Sequence, residues 1–295
     1  MFNFNTPAAL KKFLRRITYI NTVLFIVASI MILMALTMKT AHGDVWQHRH
    51  SPPKLRPTKG SITVMVVDTG VTPNNPVISP YLVKPVQIQD VDTHGHGTHV
   101  TSLIVGGAGT MRKDGEVHFS SLVCPEVRVI ACKFYDPKAI TKINLDNSIA
   151  CFQKALELNV DIVNYSAGGP DSLEEERLAI EKLQENDIIL VTAAGNEGSD
   201  LKIYPYYPAN YQLKNMVIVG ALGLPPNKFN AYQRFKSSNF GIFGMYWEIG
   251  EAVLGYNHLN KPQYMTGTSQ ATALATNRIL RQRCEEMKQK DKKEK

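Results

Sequence analysis

Acidic residues are absent from the first 43 positions, where Lys11, Lys12, Arg15, Arg16 and Lys39 stand unopposed. Charge of either sign is missing from Ile17 to Met38, a run of 22 residues. Cysteine is scarce: Cys124, Cys132, Cys151 and Cys284 are the only four in 295 residues, and their spacing matches no zinc-binding pattern. No internal repeat is visible, which excludes solenoids and propellers. The formal charge of +7 suggests a nucleic-acid partner, but it lies at the two ends. Residues 278–295 carry eight bases against four acids, and the stretch between the termini is left at −2. No nucleic-acid partner is expected from such a body.

The basic cluster followed by the uncharged run predicts an N-terminus on the cytoplasmic side, with the remainder exported. At 22 residues, the run 17–38 is long enough to span a bilayer as an anchor. Ala41-His42-Gly43 also resembles the small-x-small pattern before a signal cleavage site. Membrane-anchored and secreted forms both stay open. Either places the cysteines where disulfides persist. Cys132 and Cys151 fall on a predicted strand and on the helix after it, which allows a bridge; packed free thiols fit equally.

An apolar content of 44% over this length allows one large core. Pro52, Pro53 and Pro57 mark residues 44–60 as an extended linker. Ile62–Val67 is a near-continuous β-branched run, as expected of a strand buried on both faces. Strands at Val127–Lys133, Asp161–Tyr165, Ile188–Ala193 and Met216–Ala221 then alternate with helices at Leu145–Leu158 and from Ser172 to Gln184. A capping box of Ser172 and Glu175 is expected to open the latter. Residues 222–264 read as hairpins and loops, and Gln270–Arg283 as a helix. Alternation of this kind predicts an α/β fold: a three-layer αβα arrangement around a mostly parallel sheet.

In such sheets functional residues gather at the carboxyl ends of the strands. Those ends carry Asp68, the loop Ser166-Ala167-Gly168-Gly169, and Asn196 in a glycine-flanked turn. His94, His96 and His99 form a string that occurs in metallo-hydrolases, with His118 and His258 as the remaining candidate ligands. Neither of those two lies in a recognisable ligand motif. The alternative is a triad in the chain order Asp68, His96, Ser269. Ser269 stands where a loop enters a helix, a position that also suits a simple N-cap.

Five blocks together carry a resemblance to the subtilisin-like serine proteases. They are Val67-Asp68-Thr69-Gly70, His96-Gly97-Thr98-His99-Val100, Asn164-Tyr165-Ser166-Ala167-Gly168-Gly169, Ala193-Ala194-Gly195-Asn196-Glu197-Gly198 and Gly267-Thr268-Ser269. The resemblance implies Asp68, His96 and Ser269 as catalytic residues, with Asn196 and the Ser269 N–H as the oxyanion hole. It implies that a polypeptide substrate lies along Ser166, Ala167 and Gly168. The side chain before the cut would enter a pocket lined by Ala193, Ala194, Gly195 and Tyr206. Tyr207-Pro208 aligns with a position that often holds a cis proline. Residues 61–284 would form the catalytic domain, following a signal or anchor at 1–43 and the linker, with 285–295 as a charged tail.

The sequence departs from the family pattern in several places. Gln270 replaces a methionine, Ala273 a proline, and Glu248-Ile249-Gly250 stands where Ala-Pro-Gly is usual. Val77 occupies a position where calcium-binding members carry aspartate, so no cofactor is expected and calcium has no support. Residues 44–60 are too short for the usual inhibitory prodomain. Substitutions around Ser269 motivate a second expectation, a catalytically inactive peptide-binding module of the same fold.

Overall fold

The computed structural model describes residues 60–106, 109–111, 117–119, 122–225 and 231–293. The expected membrane or signal segment and the linker lie outside the described residues.

The fold grows from β1 (Ile62–Asp68), whose alternation of side chains serves two cores. Ile62, Val64 and Val66 belong to one core cluster, and Met65 and Val67 to another. All five are 2% exposed or less, so neither face of the strand meets water. β4 (Val127–Lys133) lies parallel to β1 on one side, with Val64 opposite Val129. β5 (Ile162–Tyr165) lies parallel on the other, with Val64 opposite Ile162. The sheet continues in parallel through β6 (Ile189–Ala193) to β7 (Met216–Gly223). β9 (Tyr246–Ile249) adds in parallel to β7, and the short β8 (Gln233–Arg234) pairs antiparallel with its end.

Helices cover both faces. α1 (His96–Val105) and α4 (Thr268–Lys293) supply Val100, Leu103, Ile104, Ala271, Ala275, Ile279 and Leu280 to the core that takes Val64 and Val66. α2 (Thr141–Glu157) and α3 (Glu174–Glu185) supply Phe152, Ala155, Ile180 and Leu183 to the opposite core. Phe152 is fully buried and meets the Tyr165 ring edge-on at 5.2 Å. Its truncation to alanine is expected to cost about 3–5 kcal/mol. A second, antiparallel sheet joins β2 (Gly109–Met111), β3 (Val117–Phe119), β10 (Val253–Tyr256) and β11 (Pro262–Met265) in the order β11-β10-β2-β3.

Because the chain leaves β1 for β4 on one side and returns to β5 on the other, the crevice of this sheet opens at the carboxyl end of β1. That end is Asp68.

The expected three-layer fold is therefore present, with one local correction and two open points filled in. No side-chain cap opens α3, which begins at Glu174 after Leu173. The hydroxyl of Tyr211 takes over there, accepting from Leu173 N–H at 3.0 Å and donating to Leu173 O at 2.9 Å. The expected charged tail is helical through Lys293, continuous with α4. All four cysteines are paired: Cys132 with Cys151, tying β4 to α2, and Cys124 with Cys284, tying α4 to the segment before β4.

Candidate active site

Asp68 is 3% exposed at the end of β1. Its Oδ1 accepts from Thr69 N–H at 2.7 Å and from His96 Nδ1 at 2.8 Å, and Oδ2 is 3.0 Å from the same nitrogen. This fixes Nδ1 as the protonated nitrogen and leaves Nε2 as the acceptor, which none of the described residues engages. Burial pushes the His96 imidazolium down. The charge and hydrogen bond of Asp68, helped by Asp92, more than offset this, so its pKa is raised.

His96 is the first residue of α1, and two glycines make that placement feasible. Gly95, the N-cap, has φ +106°, a left-handed backbone that side chains disfavour. A Cβ on Gly97 would stand 2.2 Å from Gly70 O, so only glycine lets α1 approach the turn after Asp68. In place of a cap from Gly95, Asp92 serves the helix start. Its Oδ1 accepts from His94 N–H, Gly95 N–H and Thr69 Oγ1, and its Oδ2 from Thr98 N–H and Thr98 Oγ1, all at 2.6–3.0 Å. Burial alone would raise the Asp92 carboxyl, yet these donors hold it below its ordinary range.

The three histidines of the string face different partners, so they form no ligand set. His94 meets the Tyr135 ring edge-on at 6.0 Å. His96 bonds Asp68. His99 is fully buried, with Nε2 3.0 Å from Gln263 O, and burial pushes its pKa down to about 4. It is a neutral packing residue that seats α1 on β11.

Ser269 lies in the first turn of α4 and is 9% exposed. Helix geometry leaves the first N–H groups of α4 without intrahelical acceptors. Thr268 N–H goes to Asn196 Oδ1 at 2.8 Å, and Thr268 Oγ1 donates to the same oxygen at 3.1 Å. Two donors on Oδ1 fix the orientation of the Asn196 amide. Its Nδ2 hydrogens then have no acceptor among the described residues, and the same holds for the Ser269 N–H. Asn239 shapes the loop that carries Asn196. It accepts from Glu197 N–H at 3.1 Å and Ser199 N–H at 2.9 Å, and donates to Ala194 O at 2.9 Å.

The Ser269 hydroxyl donates to Ser166 O at 3.3 Å and makes no hydrogen bond to His96. A polar chain ties the same elements together: Thr276 Oγ1 donates to Asn164 Oδ1 at 2.9 Å, and Asn164 Nδ2 to Ser166 Oγ at 3.2 Å. The end of β5 is thus joined to α4 beside Ser269. Ala167 and Gly168 continue this segment, and Gly169 pairs with Tyr207 through Gly169 N–H to Tyr207 O at 2.9 Å and Tyr207 N–H to Gly169 O at 2.7 Å. The Tyr207–Pro208 bond is cis, as the resemblance implied. Ala193 and Ala194 are buried, Ala194 completely and in a small third core with Leu201, Ala209 and Ile218.

The substituted positions are integrated into the packing. Gln270 is buried, and its Nε2 lies 3.8 Å from Met265 Sδ. Ala273 is fully buried in the core beneath α4. Glu248 is buried and paired with Arg278 of α4, whose Nη2 is 3.2 Å from Oε1. Asp92 and Asn239 escaped the sequence reading, and Asn164 and Thr268 were read only as parts of motif blocks, without their roles. Asp92 carried a signal, an acid just before a glycine-flanked helix start; the others depend on contacts 42 to 112 residues apart in sequence.

Chemically, the cluster offers a hydroxyl, an imidazole oriented by a carboxylate, and two donors unpaired among the described residues, the Ser269 N–H at a helix start and the Asn196 amide. These are the parts needed for nucleophilic acyl transfer.

Comparison with known proteins addresses the family and the fold. The profile of the subtilase family matches residues 59–288. An intracellular serine protease of Paenibacillus polymyxa is 29% identical over 227 residues, covering 73% of this chain and 64% of that protein. The minor extracellular protease Epr of Bacillus subtilis (strain 168) is 28% identical over 236 residues, covering 77% of this chain and 33% of that protein. The chain thus spans less than two thirds of the length of these two relatives. Among solved structures, a mutant of the protease domain of PatA shares the fold with a TM-score of 0.61 at 22% identity, over 78% of this chain and 82% of that one. A family profile that runs through all five motif blocks, on a parallel sheet whose carboxyl edge gathers their polar residues, leads to one assignment: the chain belongs to the subtilase family.

Proposed function

We propose that the chain is a serine endopeptidase that hydrolyses polypeptides through Asp68, His96 and Ser269. Ser269 Oγ attacks the carbonyl carbon of the scissile peptide bond while His96 Nε2 removes its proton. The same proton passes to the leaving amine, and water then releases the acyl group by the reverse path. Asp68 keeps the imidazole in the required tautomer and stabilises its positive charge. Asn196 Nδ2 and the Ser269 N–H receive the negative oxygen of the tetrahedral intermediate. Substrate lies extended along Ser166, Ala167 and Gly168 as an added strand.

One observation carries this reading: Thr268 holds Asn196 by its oxygen, so that the amide hydrogens stay unpaired beside the unpaired Ser269 N–H. Packing gives no reason to keep such donors idle next to a hydroxyl. The exported location, anchored through residues 17–38 or secreted, belongs to the same proposal and is supported by the two disulfides.

Fluorophosphonate labelling of the full chain tests the reading: Ser269 is modified, and Ser269→Ala abolishes the label. A folded chain that stays unlabelled refutes it. The bond from Ser269 Oγ to Ser166 O favours a second reading, a peptide-binding module without turnover. Attack requires Ser269 to leave that bond by rotating between staggered wells, at a cost of about 1 kcal/mol for the bond lost. Peptide capture without cleavage, unchanged by Ser269→Ala, would select the module.

A further inference from the structure

The side chain before the cut would enter between the segment after β5 and the segment after β6. Gly168 lies on the first segment and Gly195 on the second, and the ring of Tyr206 comes close to both. A Cβ on Gly168 would lie 2.2 Å from Tyr207 O, 2.5 Å from Tyr206 Cε1 and 3.0 Å from Cζ, and one on Gly195 would lie 2.4 Å from Asn239 Nδ2, 2.6 Å from Glu197 Oε2 and 3.0 Å from Tyr206 Cγ. Both glycine backbones are therefore already at van der Waals contact with the ring, one near its hydroxyl end and one at its root.

The ring is held from several directions. Tyr206 N–H donates to Asn210 Oδ1 at 3.0 Å, and Tyr206 O accepts from Asn210 N–H at 2.9 Å. The neighbouring Tyr207 is locked to Gly169 by its two backbone hydrogen bonds. The ring packs against the core of Leu201, Ala209, Ile218 and Met245, and burial pushes its phenol up to about 12. Moving it aside would break this packing and uncover the small core beneath.

We propose that Tyr206 determines specificity by occupying the pocket itself, so that the residue before the cut must be glycine, alanine or serine. The proposal rests on the endopeptidase reading and deepens it. An aromatic or long aliphatic side chain at that position meets the ring rather than a cavity. A cavity of about 410 Å³ opens beside the same substrate segment; Tyr206, Ala167 and Gly168 line it with Phe134, Tyr135, Leu145 and Leu173, but Ala193, Ala194 and Gly195 do not, so it is not the space between the two segments.

The test uses the full-length chain and a peptide series varied only before the cut, with Gly, Ala, Ser, Leu, Phe or Tyr. The expected kcat/KM for Ala exceeds that for Phe by about tenfold or more, the scale on which a misfit in an apolar pocket discriminates. Tyr206→Gly is expected to reverse the order, while Tyr206→Phe, which keeps the ring, retains the small-residue preference. Equal or better cleavage after Phe by the unaltered chain overturns the proposal, whether or not Tyr206→Gly folds. Binding of the same peptides to Ser269→Ala supplies a readout without turnover. Small-residue preference there with no hydrolysis by the unaltered chain sinks the endopeptidase reading and sustains the pocket; equal affinity for Ala and Phe peptides sinks the pocket.

Discussion

Glu176 offers a quantitative test of the energetics. It is 4% exposed in the first turn of α3, and its Oε2 lies 3.2 Å from the hydroxyl of Tyr211. Among the described residues no cation pairs with it; its neighbour Arg177 turns outward to Glu174 and Glu181. Burial therefore raises its pKa from 4.5 to about 7, against the smaller opposing effects of the Tyr211 and Tyr165 hydroxyls. The sign follows from proton binding. Between those two values the folded chain holds a proton that the unfolded chain has lost, so stability falls as pH rises. At about 1.4 kcal/mol per pH unit, the native state is penalised by about 3 kcal/mol above pH 8 relative to pH 4. Glu176→Gln keeps the shape and the hydrogen bonding but cannot ionise. In a Ser269→Ala background, which prevents self-digestion, urea unfolding of both chains is measured from pH 4.5 to pH 8.5. The stability difference between them should move by about 3 kcal/mol in favour of the glutamine chain as pH rises, with other titrating groups cancelling. Parallel curves would refute the reasoning and show that the carboxylate reaches water or a counter-charge.

Three further outcomes follow from other groups. Hydrolysis requires neutral His96, whose pKa is raised by Asp68, so the acid limb of kcat/KM should have its midpoint above 6.5; Asp68→Asn should lower that midpoint along with the rate. Asp92→Ala, which takes the capping acceptor away from the N–H groups at the start of α1, should cost about 3 kcal/mol or more in chemical unfolding and reduce fluorophosphonate labelling. Because the Asp92 pKa is depressed, that stabilisation is full above its ordinary range and fades as pH falls, opposite to Glu176. Replacing both members of Cys124–Cys284 by serine should cost about 5 kcal/mol against about 3 for Cys132–Cys151, since their separations of 160 and 19 residues set the chain entropy released. Urea titration gives the order directly, and a reversed order would discard unfolded-state entropy as the cause.

What the sequence made readable was whatever local pattern controls. Ile62–Val67 could be assigned because a strand buried on two faces needs apolar residues throughout, and the alternating helices then implied the parallel sheet. The polar residues at strand ends stood out because packing has no use for them there. The capping box at Ser172 failed because a tertiary contact, the Tyr211 hydroxyl, satisfied the Leu173 backbone instead. The partner of Cys124 was hidden since no local rule links it to Cys284. Residues 222–264 were readable only as hairpins and loops, yet Tyr246–Ile249 enters the main sheet in parallel beside β7. Tyr206 could be placed at a pocket wall, but its closeness to both Gly168 and Gly195 depends on tertiary packing that no local pattern records.

The position of α4 has a bearing on biosynthesis. Ala271, Ala275, Ile279 and Leu280 close the same core as Val64, Val191 and Val219, while Ser269 and the donors beside it belong to that helix's first turn. A ribosome that has delivered everything up to Thr266 has therefore made the acid–imidazole pair, but neither the hydroxyl nor the lid of its own interior. Such a nascent chain shows an apolar trough to its surroundings, and on the proposed reading it still lacks its nucleophile, so completion of the fold and the onset of activity would coincide.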